Sequence, residues 1–182
     1  MSLFSTKIRH DAESRTILLI GPGPHPSTGR LPIHGGTIRV RQIARPLEAA
    51  GFKVIYHLLE SETFEESLSN GTKIQNFSVE DFQKSKPHLE KLRNKGELKI
   101  RCIVGAGSLM PDAVAAQLAH KFGIPFWCDI TGDPMAEWYA GISNPFDQDQ
   151  DIDYVLRDQI WLFMRRALMA GDCFSGVSNA QA

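Results

Sequence analysis

The fold is decided by the stretch TILLIG at residues 16–21, which runs into a loop rich in Gly and Pro and then into GGT at residues 35–37. The apolar residues of the stretch do not alternate with polar ones, which predicts a strand buried on both faces. The sequence then predicts a helix that ends at Gly51 and a second strand at residues 52–56. Strand, helix and strand within about 40 residues indicate a right-handed βαβ unit.

The helix of this unit has an apolar stripe at helical spacing, formed by Val40, Ile43, Ala44 and Leu47. Gly51 is placed to end it in the left-handed conformation. Pro46 removes one backbone N–H donor, so we expect a kink or an early loosening there. At the helix start, Gly35, Gly36 and Thr37 leave backbone N–H groups free, and the helix dipole adds positive potential. We expect these residues to contact a ligand, although a tight turn alone would also explain the glycines.

The loop does not match the common phosphate-binding fingerprints. Gly21 and Gly23 supply the first two positions of G-x-G-x-x-G, but Pro26 takes the third and the loop is too long. The second strand is predicted to end in Tyr56-His57, without an acid to hold a ribose. A Walker loop needs Lys before its Ser or Thr, and none stands there. The sequence therefore disfavours a nicotinamide dehydrogenase and a P-loop NTPase.

The composition bounds the protein class. The chain has 182 residues, of which 42% are hydrophobic and 23% charged, as expected for one soluble domain. A net charge of -1 gives no electrostatic case for nucleic acid. No apolar run approaches the roughly 20 residues of a transmembrane helix, and no signal-peptide core is present. Cys102, Cys128 and Cys173 are widely spaced, which favours reduced thiols over a disulfide or zinc site and predicts a cytoplasmic location.

The rest of the chain continues the alternation of strands and helices. Residues 1–15 are polar and predicted to be loose, and residues 57–70 give no clear pattern. The later elements are predicted in this order: a strand at 74–77, a helix at 79–94 interrupted by Pro87 and ended by Gly96, a strand at 99–105, a helix from Pro111 to Gly123, a strand at 124–130, an irregular loop at 135–146, a helix at 148–170 ended by Gly171, and a strand at 172–178.

This pattern predicts an α/β fold, a doubly wound and mostly parallel Rossmann-like sheet in three α/β/α layers over residues 16–182. Gly21, Gly105 and Gly132 recur at strand ends. Because the carboxyl ends of parallel strands meet at one edge, the three loops should converge there and bind the ligand.

Three passages resemble the N-terminal half of a glycosyltransferase of the GT-B fold. The first is the strand at residues 17–21, the long loop to Gly-Gly, and the helix that ends AAGFKV at 49–54. The second is WCDITGDP at 127–134, similar to a strand and loop that end in His or Asp in that family. The third is AGDCFSGVSNAQ at 170–181, similar to the passage just before the second domain. Their order and spacing make the resemblance more specific than each motif alone.

The resemblance implies a division of labour between two domains. The N-terminal domain of such enzymes holds the acceptor, which can be a small molecule, a glycan or a lipid-linked molecule, and the C-terminal domain holds the nucleotide-sugar donor. The C-terminal donor-binding domain would be absent from this chain, so we expect the isolated domain to lack transferase activity. No cofactor and no metal are implied. Since many relatives act on lipid-linked acceptors, the cytoplasmic parent could associate with the inner membrane face.

Asp133 is the candidate catalytic residue. A carboxylate at the end of a central strand can accept a proton from an acceptor hydroxyl or stabilise charge on the transferring sugar. Alternatively, Asp before Pro only shapes a tight turn. Asp129 is expected to be a structural hydrogen-bonding residue. The predicted substrate-binding residues are Gly35, Gly36, Thr37, Gly105, Gly107, Ser108 and Gly132.

Four further side chains in or near the first loop are weaker candidates. His25 and His34 are loop histidines, which are usually solvated. Arg30 and Arg39 could meet an anionic acceptor, with ordinary surface charge as the default.

An acidic run at residues 147–153 superficially resembles a metal motif. The calcium loop needs Gly at its sixth position and Glu at its twelfth, where this chain has Ile152 and Asp158. The acids are better explained as the start of a helix, whose dipole favours negative charge.

Two other function classes remain. One is a stand-alone small-molecule-binding Rossmann-like domain or a methyltransferase-like enzyme, which would want an acid after the second strand. The other is a non-catalytic receiver domain, which would need an acidic cluster after the first strand.

Overall fold

A computed structural model of the chain describes residues 8–33, 35–93, 98–107, 110–130 and 154–176. The elements, numbered in chain order, are β1 (Ile8–His10), β2 (Thr16–Pro22), α1 (Gly35–Ala49), β3 (Lys53–Leu59), β4 (Phe64–Ser67), β5 (Lys73–Phe77), α2 (Val79–Gln83), α3 (Ser85–Arg93), β6 (Leu98–Ile100), β7 (Cys102–Ala106), α4 (Met110–Phe122), β8 (Phe126–Ile130), α5 (Tyr154–Ala170) and β9 (Cys173–Gly176). Among the described helices, none is both long and apolar enough to cross a membrane.

The main sheet has seven strands in the order β4-β5-β3-β2-β7-β8-β9. All neighbouring pairs are parallel except β4 and β5, which are antiparallel. If its six parallel strands are counted along the chain, their spatial order is 3-2-1-4-5-6, the doubly wound order of the Rossmann fold. This confirms the predicted α/β fold class, and it places the reversal of strand order between β2 and β7.

The central strand is buried on both faces, as its unbroken apolar run predicts. Ile17 and Leu19 lie in one hydrophobic cluster with Val40 of α1. Leu18 and Ile20 lie in the other, which includes apolar residues of α2, α3, α4 and α5. Since successive side chains of a strand point to opposite faces, the two clusters form the two interfaces of a three-layer α/β/α domain.

The helix ends follow the predicted chemistry. Gly51 has φ +83 and Gly123 has φ +61, the left-handed conformation that ends a helix. The N–H groups of the residues after them, Phe52 and Ile124, bond back to carbonyls of the last helical turn. Pro46 lies inside α1, which runs on to Ala49, so the predicted early loosening does not occur.

Three predictions about local structure were wrong. The second strand does not stop at His57; β3 runs to Leu59. The helix predicted at 79–94 is interrupted as expected, but the break lies at Lys84, which is extended and separates α2 from α3, and not at Pro87. The N-terminal segment is not loose throughout: β1 pairs in parallel with β6 in a separate two-stranded sheet. For the two strands a tertiary partner outweighed the local pattern, because β3 pairs with β2 and β5 as far as Leu59 and β1 pairs with β6.

Candidate functional site

The crevice at the switch point lies between the carboxyl ends of β2 and β7. The chain after β7 turns at Gly107, which has φ +100. A Cβ atom at Gly107 would lie 2.8 Å from Pro22 Cδ and 3.8 Å from Gly36 Cα. The end of β2, the start of α1 and the turn after β7 therefore meet at one point, where doubly wound folds bind their ligands.

The structure brings together some of the predicted substrate-binding residues. Gly35 and Gly36 begin α1, and within the described part of the chain nothing lies within 4 Å of a Cβ at Gly35. Thr37 is fully buried beneath them. Gly105 leaves room for Asp112 of α4 and Phe126, so its missing side chain serves the packing of the domain.

Several predicted site residues lie outside the described residues. They include the catalytic candidate and part of the predicted binding set, together with one loop histidine and the acidic run: Asp133, Gly132, Ser108, His34 and residues 147–153.

An ion pair between α1 and β8 lies beside the crevice. Arg39 of α1 reaches the end of β8, where its Nε donates to Asp129 Oδ2 at 2.7 Å and its Nη2 donates to Asp129 Oδ1 at 2.6 Å. The Asp129 carboxylate is completely buried, whereas 22% of the Arg39 side chain is exposed. The hydrogen bonds to Asp129 are the main reason that the pKa of Arg39 is raised. Arg39 thus forms an ion pair that links α1 to β8 and is not a free surface charge.

The same carboxylate is linked to the last strand of the sheet. Ser175 of β9 donates its hydroxyl hydrogen to Asp129 Oδ1, and Trp127 Nε1 donates to Ser175 Oγ at 2.7 Å. Asp129 therefore joins α1, β8 and β9, which confirms the prediction that it is a structural hydrogen-bonding residue. The network holds the start of α1 against the strand ends and so shapes the crevice.

A second polar cluster lies beside the crevice, under the loop that connects β2 to α1. Arg30 Nη2 donates to Glu60 Oε1 at 2.8 Å and to Glu66 Oε1 at 2.7 Å. Asn76 Nδ2 donates to the same Glu66 oxygen at 2.9 Å. The guanidinium of Arg30 also lies 4.7 Å from the centre of the Phe64 ring. We call Arg30, Glu60, Glu66, Asn76 and the neighbouring His25 the loop cluster.

His25 is not the solvated loop histidine that the sequence suggested, because only 3% of it is exposed. Its ring packs edge-on against Tyr56, with the centroids 5.0 Å apart. Burial lowers the pKa of His25, and the charge of Arg41 lowers it further, while Glu66 raises it. Nδ1 accepts the backbone N–H of Ser27 at 3.2 Å, so the proton of the neutral ring is on Nε2.

Glu60 shows that one expectation from the sequence, the lack of an acid after the second strand, was wrong. The second strand extends to Leu59, so the residue that follows it is an acid after all. This is the position at which many nucleotide-binding Rossmann folds place their ribose-binding acid. The prediction missed it because residues 57–70 show no clear strand pattern. In this structure Glu60 is paired with Arg30, and 10% of its side chain is exposed.

A buried pair of histidines was not foreseen. His57 Nδ1 and His88 Nδ1 are 2.9 Å apart, and His88 Nε2 is 3.1 Å from the carbonyl oxygen of Phe82. Since a carbonyl only accepts, His88 Nε2 donates to Phe82, and His57 Nδ1 then donates to His88. Burial lowers the pKa of His88 to about 4, against a smaller opposing effect of the Phe82 hydrogen bond. No short-range signal connects positions 57 and 88.

Cys102, Cys128 and Cys173 are all free. Burial is the main reason that the pKa values of Cys102 and Cys128 are raised to about 11 and about 12. Within the described part of the chain, no group of three or more His, Cys, Asp or Glu could hold a metal ion.

Two open cavities lie away from the crevice. One, of about 440 Å³, lies at the opposite edge of the sheet against Lys53 and Lys73. The other, of about 540 Å³, lies against α4 and α5 near Met110 and Arg166. Neither is lined by a predicted site residue.

Comparison of the chain with protein-family models and with curated proteins gives no match.

Proposed function

We propose that this domain is the acceptor-binding half of a GT-B glycosyltransferase, which transfers a sugar from a nucleotide-sugar to a hydroxyl-bearing acceptor. The observation that supports this proposal is the crevice at the switch point, where Gly36 and Gly107 bring bare backbone together at the start of a long helix. The long loop between β2 and α1 adds Arg30, whose side chain is 36% exposed.

In this proposal backbone N–H groups bind the acceptor, and a carboxylate accepts the proton of its hydroxyl group. The N–H groups at the start of α1 favour oxygen-rich or negatively charged groups. Asp133 follows β8, three residues after its last residue Ile130, and we assign it the role of general base for the acceptor hydroxyl. The tie between Arg39 and Asp129 keeps α1 and β8 in a fixed relation during the reaction.

The donor would be held by a second domain across the crevice, and the reaction would take place in the cytoplasm or at the inner face of its membrane. Neither a metal nor a resident cofactor is part of this proposal. The isolated domain would then bind an acceptor without turning over a donor.

The test is an assay of the full-length gene product with a panel of nucleotide-sugars, in which release of the nucleotide is measured. We expect one donor to be consumed and the Asp133→Asn variant to react at least about 100-fold more slowly, since a positioned base contributes about 10²–10⁴ in rate. The matched control, Asp158→Asn on the exposed side of α5, should react at the unaltered rate. Failure of every donor to react would overturn the proposal.

Glu60 supports a second candidate, a nucleotide-binding enzyme such as a methyltransferase. Its carboxylate follows the strand next to the central one, where a ribose hydroxyl pair is bound in such folds. Against it stands the long loop after β2 and the pairing of Glu60 with Arg30. Titration of the chain with NADH and with S-adenosylmethionine distinguishes the candidates, because tight binding of either would favour the second.

A further inference from the structure

One lateral edge of the domain concentrates its exposed apolar side chains. Of the nine large hydrophobic residues that are exposed in the described part of the chain, five lie in α5 and in the edge strand β9: Trp161, Leu162, Leu168, Met169 and Phe174. Trp161 is 56% exposed and Phe174 is 49% exposed. Single exposed apolar residues are ordinary, whereas a group of them in one place marks an interaction surface.

Two of these residues point away from the neighbouring helix. Arg166 and Ala170 of α5 line the cavity shared with α4, so α4 lies on their side of the helix. Successive helical residues are about 100° apart, which places Trp161 and Leu168 on the opposite side of α5. Since α4 precedes β8 and α5 leads from β8 to β9, that opposite side lies at the β9 edge of the sheet.

Phe174 continues the same side onto the sheet. A Cβ atom at Gly171 would lie 2.5 Å from Phe174 Cζ, so the ring packs on the residue that follows α5. β9 pairs with β8 on one side, and none of the described strands pairs with its other side. We call Trp161, Leu168, Phe174 and the open side of β9 the edge face.

The two edges of the seven-stranded sheet are built differently. β4, at one edge, carries Glu65 and Glu66, and charged residues commonly protect an edge strand from pairing with another chain. β9, at the other edge, reads Cys-Phe-Ser-Gly and has neither a charge nor a proline. An open and uncharged edge strand is a template for one more strand.

We propose that the edge face is the interface of a homodimer, in which β9 pairs with β9 of a second copy across a two-fold axis. Two α5 helices then lie antiparallel, and Trp161 of each copy contacts Leu168 of the other. The face is thus complementary to itself, as a two-fold contact requires. The crevice between β2 and β7 lies elsewhere on the sheet, so this proposal does not depend on the proposed function.

The size and chemistry of the edge face suit a second copy. α5 has 17 residues and is about 25 Å long. With one helix layer and one strand layer, about 20 Å high together, the face covers about 500 Å² in projection, and its accessible area approaches the roughly 800 Å² that each partner of a stable complex buries. A lipid surface would cover the apolar side chains but would leave the open backbone groups of β9 without hydrogen bonds.

The first test is sedimentation equilibrium of the chain at pH 7. Between about 1 μM and about 100 μM we expect the mass to rise from the 20.3 kDa of one chain to twice that value. Over the same range, backbone amide exchange at residues 173–176 should slow, because the open side of β9 becomes paired. A single-chain mass throughout would overturn the proposal, and exchange that does not depend on concentration would refute the strand pairing.

Two variants and a matched control test the residues. Trp161→Lys and Phe174→Lys each place a charge on the edge face and should weaken association at least about tenfold. Both side chains are about half exposed, so the circular dichroism spectrum should stay unchanged. Val79→Lys alters a residue of α2 that is 52% exposed and should leave association unaltered. Dimers that persist in both edge variants, or an equal loss in Val79→Lys, would contradict the interface.

Flotation with vesicles of phosphatidylcholine and phosphatidylserine tests the edge face against a membrane surface. We expect the chain to stay with the unbound protein, because its edge face is buried between two copies. Vesicle binding that Trp161→Lys abolishes, by a chain that sediments as a monomer, would overturn the dimer and assign the face to a membrane.

Discussion

Removal of the Arg39 charge tests the ion pair that Arg39 forms with the buried Asp129 carboxylate beside the crevice. In Arg39→Met the Asp129 carboxylate keeps the Ser175 hydroxyl but loses both hydrogen bonds from the guanidinium, at 2.7 and 2.6 Å. Since this carboxylate is 0% exposed, the loss leaves a buried charge without its counterion. Breaking such a pair typically costs about 3–5 kcal/mol, a large fraction of the roughly 5–15 kcal/mol that stabilise a domain.

The assay is urea unfolding of the chain at pH 7, followed by circular dichroism. We expect the free energy of unfolding to fall by about 3–5 kcal/mol in Arg39→Met. The same substitution at Arg45, an exposed residue of the same helix, should cost about 0.5 kcal/mol or less. In the double variant Arg39→Met, Asp129→Asn, much of the loss should be recovered, because the charge left behind has been removed.

The unaltered chain, Arg39→Met, Asp129→Asn and the double variant together give a coupling energy between the two residues. A coupling of about 2 kcal/mol or more agrees with a buried pair whose members depend on each other. If Arg39→Met costs no more than Arg45→Met, or if the two single losses simply add, the ion pair does not hold α1 to β8. The role of the pair in shaping the crevice is then refuted.

Three further predictions follow from the same contacts. The pKa of about 4 for His88 lies below the ordinary value of 6.5, so the contribution of His88 to stability should be fully present above about pH 6.5. The free energy of unfolding should then decline by about 3 kcal/mol as the pH falls to about 4. His88→Gln should flatten this part of a plot of the urea midpoint against pH, and an unaltered plot would contradict the prediction. Gly107→Ala should lower the free energy of unfolding in urea by about 2 kcal/mol or more, because Gly107 has φ +100 and its new Cβ would clash with Pro22. Gly29→Ala, at φ +74 in open space, should lower it by about 1 kcal/mol, and equal losses would contradict the close approach of Gly107 to Pro22. In a thiol-reagent time course the exposed Cys173 should react first and the buried Cys128, whose pKa is about 12, last; the reverse order would contradict the burial assigned here.

Local chemistry was enough to predict most of the elements. The unbroken apolar run of β2, the stripe of α1 and the left-handed glycine at position 51 are features of a few neighbouring residues, and the structure confirms them. The doubly wound fold class follows from the alternation of such elements. Where the local signal was weak, at residues 57–70, the end of β3 and the acid after it were missed.

The tertiary structure alone decided the site. Arg39 and Asp129 are 90 positions apart, and Ser175 is 46 positions further along the chain, so no periodicity connects them. The same is true of the loop cluster, in which His25 and Arg30 from one loop meet Glu66 of the edge strand β4 and Asn76 of its antiparallel neighbour β5. A sequence pattern records whether a residue will be buried. Which polar partner it meets there depends on the order in which the strands pair, and only the folded sheet sets that order.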